Sequence, residues 1–271
     1  MSEMTLADKI GQLVMVTAGT PVTGPVAAGD PTSGVRDGRI SSLLNLWGTE
    51  ATAAMQAIAV GESRLGIPLF FGFDVVHGHR TVFPIPLGEA AAFDPDLWEA
   101  TARTAAEEAA ADGIDLTFAP MIDVARDPRW GRMAEGPGED PLVASRMAAA
   151  KVRGFQGTSL ADPRSVAATA KHFVAYGAPA AGRDYATVDL SERTLREVYL
   201  PPFAAAVRAG AAAVMPAFND IAGVPMTAHV PLLRDLLRGE LGFEGVLVSD
   251  YNAVAELRTH GVAADLAEAA A

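Results

Sequence analysis

Short apolar runs rich in Val, Ile, Leu and Phe alternate along the chain with longer Ala-, Leu- and Arg-rich stretches whose apolar positions recur at helical spacing. That alternation is the mark of parallel strands joined by helices that cover the sheet. Strands are predicted at about residues 13–17, 41–46, 68–74, 115–121, 166–173, 212–218 and 245–250, and helices at about 50–65, 96–112, 141–155, 191–209 and 229–240. Start signals support two of the helices. Asp94-Pro95-Asp96 opens "LWEATARTAAEEAAADG", which closes at Gly113, and Ser191 stands as an amino cap before "LREVYL". Residues 19–39 are rich in Gly and Pro and are predicted as a loop.

No linker and no short repeat divides the sequence, so residues 1–271 are predicted as one domain. Seven such strands are one short of an eightfold βα barrel, which takes about 250 residues. The expected fold is therefore α/β, a (β/α)8 TIM-like barrel that stops before its last βα unit. A barrel so interrupted would expose two sheet edges, which makes self-association an expectation.

Composition narrows the function. With 271 residues, half of them hydrophobic, the chain can bury a large core. Its net charge of -12, with no basic run to follow a phosphate backbone, argues against nucleic acid. Cysteine is absent, which excludes disulfides, thiolate metal sites and a cysteine nucleophile. No stretch approaches the ~20 apolar residues of a membrane span, and "MSEMTLADKIGQL" has no apolar signal core, so a cytoplasmic location is expected.

In a parallel βα fold, polar residues at the carboxyl ends of strands point into the loops that build the active site. Four predicted strands carry such breaks: Asp74 after "PLFFGF", Lys171 and His172 within "VAATAKHFVAYG", Met215 to Asn219 in "AVMPAFN", and Asp250 after "GVLV". A single Asp at a strand end is more often a turn former, and a single buried His more often a satisfied core residue. Lys171 is harder to set aside: the chain has three Lys against 18 Arg, so a lysine inside an apolar strand marks a site that wants a compact donor. The run "DVARDPRWGRMAEGPGEDP" after the fourth strand adds Arg126, Arg129, Arg132, Glu135, Glu139 and Asp140 on a polar loop. A salt-bridged brace accounts for Glu139 and Asp140.

Five segments, "FFGFDVVHGHRTVFPIPLGEAAAFDPDL", "APMIDVARDPRWGRMAEGPGEDP", "KHFVAYG", "VMPAFN" and "GFEGVLVSDYNA", resemble in order and spacing the landmarks of glycoside hydrolase family 3, the β-glucosidases and β-xylosidases. The resemblance implies a retaining glycosidase acting on a carbohydrate such as a β-glucoside, without cofactor or metal. Asp250 would be the nucleophile that forms a covalent glycosyl-enzyme. Asp74 would hold sugar hydroxyls, Arg132, Lys171 and His172 would donate hydrogen bonds to the same ring, Met215 would give an apolar contact, and Tyr251 would border the neighbouring sugar site. The cationic donors are expected to keep Asp250 ionised.

Two departures from the family pattern stand out. Phe218 occupies a position where many relatives carry a tyrosine near the nucleophile. The second carboxyl that protonates the leaving oxygen comes, in most members, from a following α/β sandwich domain, which is not in this sequence, and "KHFVAYG" does not match the subgroup that uses a loop histidine. Three other readings compete. The barrel could bind sugar without turning it over. His77 and His79, with Lys171, His172, His229 and Asp250, could form a metal-dependent hydrolase site. Lys171 could serve as a Schiff-base lysine.

Overall fold

The computed structural model describes residues 2–18 and 29–271. Two short helices, α1 (Leu6–Gly11) and α2 (Thr32–Arg36), flank the first strand, β1 (Met15–Thr17). Strand β2 (Ser42–Leu44) and helix α3 (Thr49–Glu62) lead to β3 (Phe70–Phe73). After β3 come a small helix, α4 (Pro86–Ala90), the long α5 (Pro95–Ala111), β4 (Leu116–Thr117), α6 (Pro141–Gln156) and β5 (Ala167–Phe173).

The next helical stretch begins at α7 (Glu192–Thr194), widens into π turns over Leu195–Tyr199 and resumes as α8 (Pro201–Arg208) before β6 (Ala213–Pro216). A hairpin of β7 (Asp220–Ile221) and β8 (Val224–Pro225) and a π-helical segment, Pro231–Glu240, precede β9 (Val246–Leu247). Helices α9 (Ala253–Glu256) and α10 (Leu266–Ala270) follow.

Seven strands pair in parallel in the order β1-β2-β3-β4-β5-β6-β9. Each main-sheet strand thus lies beside its predecessor in the chain, with helices on the connections, and the sheet curls as a TIM-like barrel that β1 and β9 leave open as edges.

Most predicted elements are present, and the exceptions have local causes. The strand expected at 115–121 shrinks to two residues because Pro120 has no N–H for the ladder; Met121 rejoins the sheet through a single bridge to Lys171. The helix expected over 191–209 starts under the Ser191 cap, whose Oγ accepts from the Thr194 N–H at 3.1 Å, but it unwinds where Pro201 and Pro202 remove two donors. The β7–β8 hairpin went unpredicted because Ala222, with φ 51°, sits beside Gly223 in a left-handed turn that alanine does not advertise. Part of the loop expected at 19–39 is α2; residues 19–28 lie outside the described residues.

The last strand also departs from expectation. The apolar run Gly245 to Val248 predicts side chains buried on both faces, but among the described residues this strand is an edge that pairs with β6 through Ala213–Val246 and Val214–Leu247, and Val246 is 63% exposed.

Helix packing sets the sheet's outer support. Pro95 starts α5 under Asp94, whose Oδ1 accepts from the Asp96 and Leu97 N–H groups at 3.1 and 3.2 Å. Alanines at 102, 105, 106 and 109 are buried along α5, and Ala144, Ala148 and Val152 along α6. Their small side chains let the two helices approach so closely that a Cβ at Gly154 would stand 2.4 Å from the Glu99 carbonyl. Phe173 of β5 meets Phe203 of α8 edge-on at 5.2 Å, and burying each ring contributes about 1.5–3 kcal/mol.

Candidate active site

The carboxyl ends of β3 to β6 and β9 deliver one cluster of polar groups. Asp74 follows β3 and Asp123 follows β4. Lys171 and His172 lie in β5, and Asp250 follows β9. Met215 of β6 is the register partner of Lys171 and is buried. The β5–β6 register shifts between Lys171 and Phe173, and the Lys171–His172 and Phe173–Val174 peptides are cis. Gly177 lets the chain leave β5 against the loop after β4, since a Cβ there would meet the Val124 carbonyl at 2.1 Å.

Lys171 is buried and its Nζ lies 3.2 Å from Asp74 Oδ1, on a carboxylate that keeps one face toward solvent. Arg132 comes from the turn Gly131–Glu135. Its Nε and Nη2 donate to Glu135 at 2.7 and 3.1 Å, Nη2 also donates to His172 Nε2 at 3.1 Å, and its guanidinium covers the Tyr176 ring at 5.4 Å. Burial opposes the charge on Arg132, but the ion pair with Glu135 outweighs it and raises its pKa further.

His172 is fully enclosed. Its ring Nδ1 is 2.8 Å from Asp123 Oδ2, its backbone N–H donates to the same oxygen at 3.0 Å, and its Nε2 is 3.6 Å from Asp250 Oδ2. Burial, helped by Arg132 and Lys171, pushes the imidazole pKa well below its ordinary value, so the ring is neutral. Because a guanidinium can only donate, Nε2 is an acceptor toward Arg132.

Asp250 is the least satisfied carboxylate in the cluster. Oδ1 accepts from the Tyr251 N–H at 2.7 Å, while Oδ2, almost wholly buried, has no hydrogen-bond partner among the described residues. Burial pushes its pKa up to about 6, against the pull of the Tyr251 N–H, Lys171 and Arg132. Burial outweighs the Tyr251 N–H and the two cations, so Asp250 holds its proton to a higher pH than an ordinary carboxyl does. Tyr251 itself is 61% exposed and stands at the rim.

All seven candidates thus gather at one end of the sheet, and the structure adds four residues that were not singled out. Asp123 braces His172. Tyr176 packs edge-on to His172 at 5.1 Å, and Tyr185 stacks on Phe218 at 4.5 Å. Asp184 accepts the Trp130 indole N–H at 2.9 Å. Asp123 was detectable by the rule that found Asp74 and Asp250, since it breaks "APMI" at a strand end. Tyr185 was not: it lies far along a loop, and only the fold carries it to Phe218.

His77 Nδ1 bonds the Phe83 carbonyl at 2.9 Å and His79 Nε2 bonds Asp112 at 2.7 Å. Among the described residues no group of three or more His, Asp or Glu side chains is placed to hold a metal ion, which leaves the metal-dependent alternative without a ligand set.

Three comparisons bear on this geometry. The model of the glycosyl hydrolase family 3 N terminal domain matches residues 5–271. A periplasmic beta-glucosidase of Salmonella typhimurium is 46% identical over 265 residues, 98% of this chain and 34% of its own length. A beta-xylosidase of Formosa agariphila is 43% identical over 82% of this chain and 32% of its own. The beta-glucosidase from Listeria innocua, solved in complex with isofagomine, superposes with a TM-score of 0.93 at 43% identity, covering 99% of this chain and 38% of that one. The same enzyme has been solved in complex with glucose. The chain spans about a third of the length of the curated relatives it matches.

Proposed function

The chain belongs to glycosyl hydrolase family 3, and on that premise we propose that it carries the sugar site and the nucleophile of a retaining β-glycosidase acting on glucosides or related pyranosides. The observation that carries the reading is Asp250 Oδ2: an ionisable oxygen, buried, without a donor among the described residues, 3.6 Å from His172 Nε2 and under the charge of Lys171 and Arg132. In this reading Oδ2 attacks the anomeric carbon, the bond from that carbon to the leaving oxygen breaks, and the sugar is held as an ester of Asp250. Water then attacks the same carbon, the ester bond breaks, and the sugar leaves with its original configuration. Asp74 and Arg132 hold ring hydroxyls, with Lys171 bridging to Asp74. Hydrogen bonds that tighten as positive charge develops on the ring lower the barrier.

The leaving oxygen needs a proton. Around Asp250, Asp74 is held by Lys171, Glu135 by Arg132, and Asp123 is sealed beneath His172. We therefore assign the acid/base to residues outside this chain, in keeping with the relatives' greater length. An activated aryl glucoside tests the assignment because its leaving group needs little protonation. p-Nitrophenyl β-glucoside is expected to give a burst of p-nitrophenol that is absent in Asp250→Asn and unchanged by EDTA. Equal release from wild type and Asp250→Asn overturns the nucleophile. No burst from a folded chain that still binds glucose makes it a sugar-binding barrel.

A further inference from the structure

Asp123 makes one unusual pair of contacts: a single oxygen, Oδ2, faces two N–H positions of one residue, the His172 backbone at 3.0 Å and ring Nδ1 at 2.8 Å. The backbone group can only donate, so Oδ2 is an acceptor. The other oxygen, Oδ1, is buried with no partner among the described residues, and burial pushes the carboxyl up to about 7. As a carboxylate Asp123 can only accept, and Nδ1 then brings the proton to its contact. On the opposite edge of the ring, Arg132 Nη2 can only donate to Nε2, which must be bare. Two contacts, from the residue Asp123 beyond β4 and from the turn Gly131–Glu135, act together to favour one neutral tautomer.

The choice has consequences because Nε2 also lies 3.6 Å from Asp250 Oδ2. In the opposite tautomer the ring would point a proton at Asp250 and meet Arg132 donor to donor. We propose that Asp123 is a positioning residue that locks His172 with its proton on Nδ1, so that His172 anchors Arg132 and withholds a hydrogen bond from Asp250. Arg132 is then held through Nε and Nη2, and its remaining N–H groups are left to meet a ligand. Asp250 Oδ2 stays unshared, as attack requires. The tautomer follows from geometry alone; its use on a sugar rests on the reading given under Proposed function.

Long-range 15N–1H spectra of the imidazole rings test the lock, with His172 assigned by its disappearance in His172→Gln. The wild-type chain is expected to show His172 protonated on Nδ1 and bare on Nε2 across pH 6–8. Asp123→Asn, whose amide oxygen can still accept both N–H groups, is expected to keep that pattern, and Asp123→Leu to lose it in favour of Nε2–H or a mixture. Glucose affinity should follow the tautomer: near wild type in Asp123→Asn and about tenfold weaker in Asp123→Leu, the loss of roughly one oriented charged donor. A wild-type ring protonated on Nε2 overturns the proposal without any variant, as does an unchanged tautomer in folded Asp123→Leu. If wild type shows the Nδ1–H form but binds no glucose, the lock stands and the glycosidase reading fails.

Discussion

Two of the three lysines in this chain are buried, and they are buried for different purposes. Lys151 of α6 donates to Glu89 Oε2 at 2.5 Å and to Thr101 Oγ1 at 3.0 Å, with both charged side chains at most 5% exposed. Ala90, Trp98, Met147 and Ala150 form a small buried apolar cluster on the same three helices, and the Trp98 indole N–H donates to the Glu89 carbonyl at 2.6 Å. The contact ties α4 to α5 and α6. Lys171 is equally enclosed, but its one carboxylate sits at 3.2 Å and is 21% exposed, and its charge also acts on Asp123, His172 and Asp250. A buried cation given a short, equally buried partner is a brace. A buried cation shared among several groups at the open end of a sheet is a site.

The largest expected effect separates the two. Lys151→Ala strands Glu89 as an unpaired buried charge, which costs about 3–5 kcal/mol, and should lower the urea midpoint sharply while leaving glucose affinity of the folded fraction unchanged. Lys171→Met should do the reverse, with a smaller stability loss and glucose binding weakened about 10- to 100-fold, the worth of a charged hydrogen bond. Titrations with urea and with glucose on both variants decide it. Similar profiles for the two would erase the distinction.

Sequence made Lys171 visible and Lys151 invisible, for a physical reason. Lys171 interrupts an apolar strand, where period and composition make a charge conspicuous. Lys151 sits in a helix with Arg146 and Arg153 near it, where a cation is ordinary, and its burial depends on α5 approaching through small side chains. The same contrast holds across the molecule. Strand order, the capped α5 and α7, and the Asp74, Lys171 and Asp250 positions were legible because each is a local break in a pattern. The surroundings of His172 were not, because the ring is set between Asp123, 49 residues away in sequence, and Arg132. The π turns beyond Ser191 and the exposed face of β9 likewise depend on neighbours the local pattern does not name.

Asp250 sharpens the comparison through pH, with a smaller effect. Its folded pKa, about 6, stands above the ordinary 3.8 of the unfolded chain, so the folded state holds the proton more tightly. Stability contributed by that proton is complete below pH 3.8 and is lost as pH rises through 6; above that, the buried charge is a net burden. Asp250→Asn should therefore stabilise the chain at pH 8 by on the order of 2 kcal/mol and do nothing at pH 3.5, where wild-type Asp250 is already neutral. Urea midpoints of the two proteins at both pH values measure it. A variant less stable at pH 8 would mean that Asp250, like Lys151, is a brace.

The smallest expected effect tests the brace from the other side. A closed ion pair contributes little beyond what well-packed apolar side chains of the same volume would, because desolvating both charges offsets their attraction. Glu89 Oε1 is buried without a partner among the described residues, which adds to that cost. The double substitution Glu89→Leu with Lys151→Met should leave stability within about 1 kcal/mol of wild type, although Lys151→Ala alone is costly. Glucose affinity should not change. The matching double, Asp74→Leu with Lys171→Met, should also fold but bind no glucose, since there the charges answer to a ligand rather than to each other. If the Glu89–Lys151 double lost glucose binding as well, α4 would be transmitting to the site, and the clean division between the two lysines would have to be abandoned.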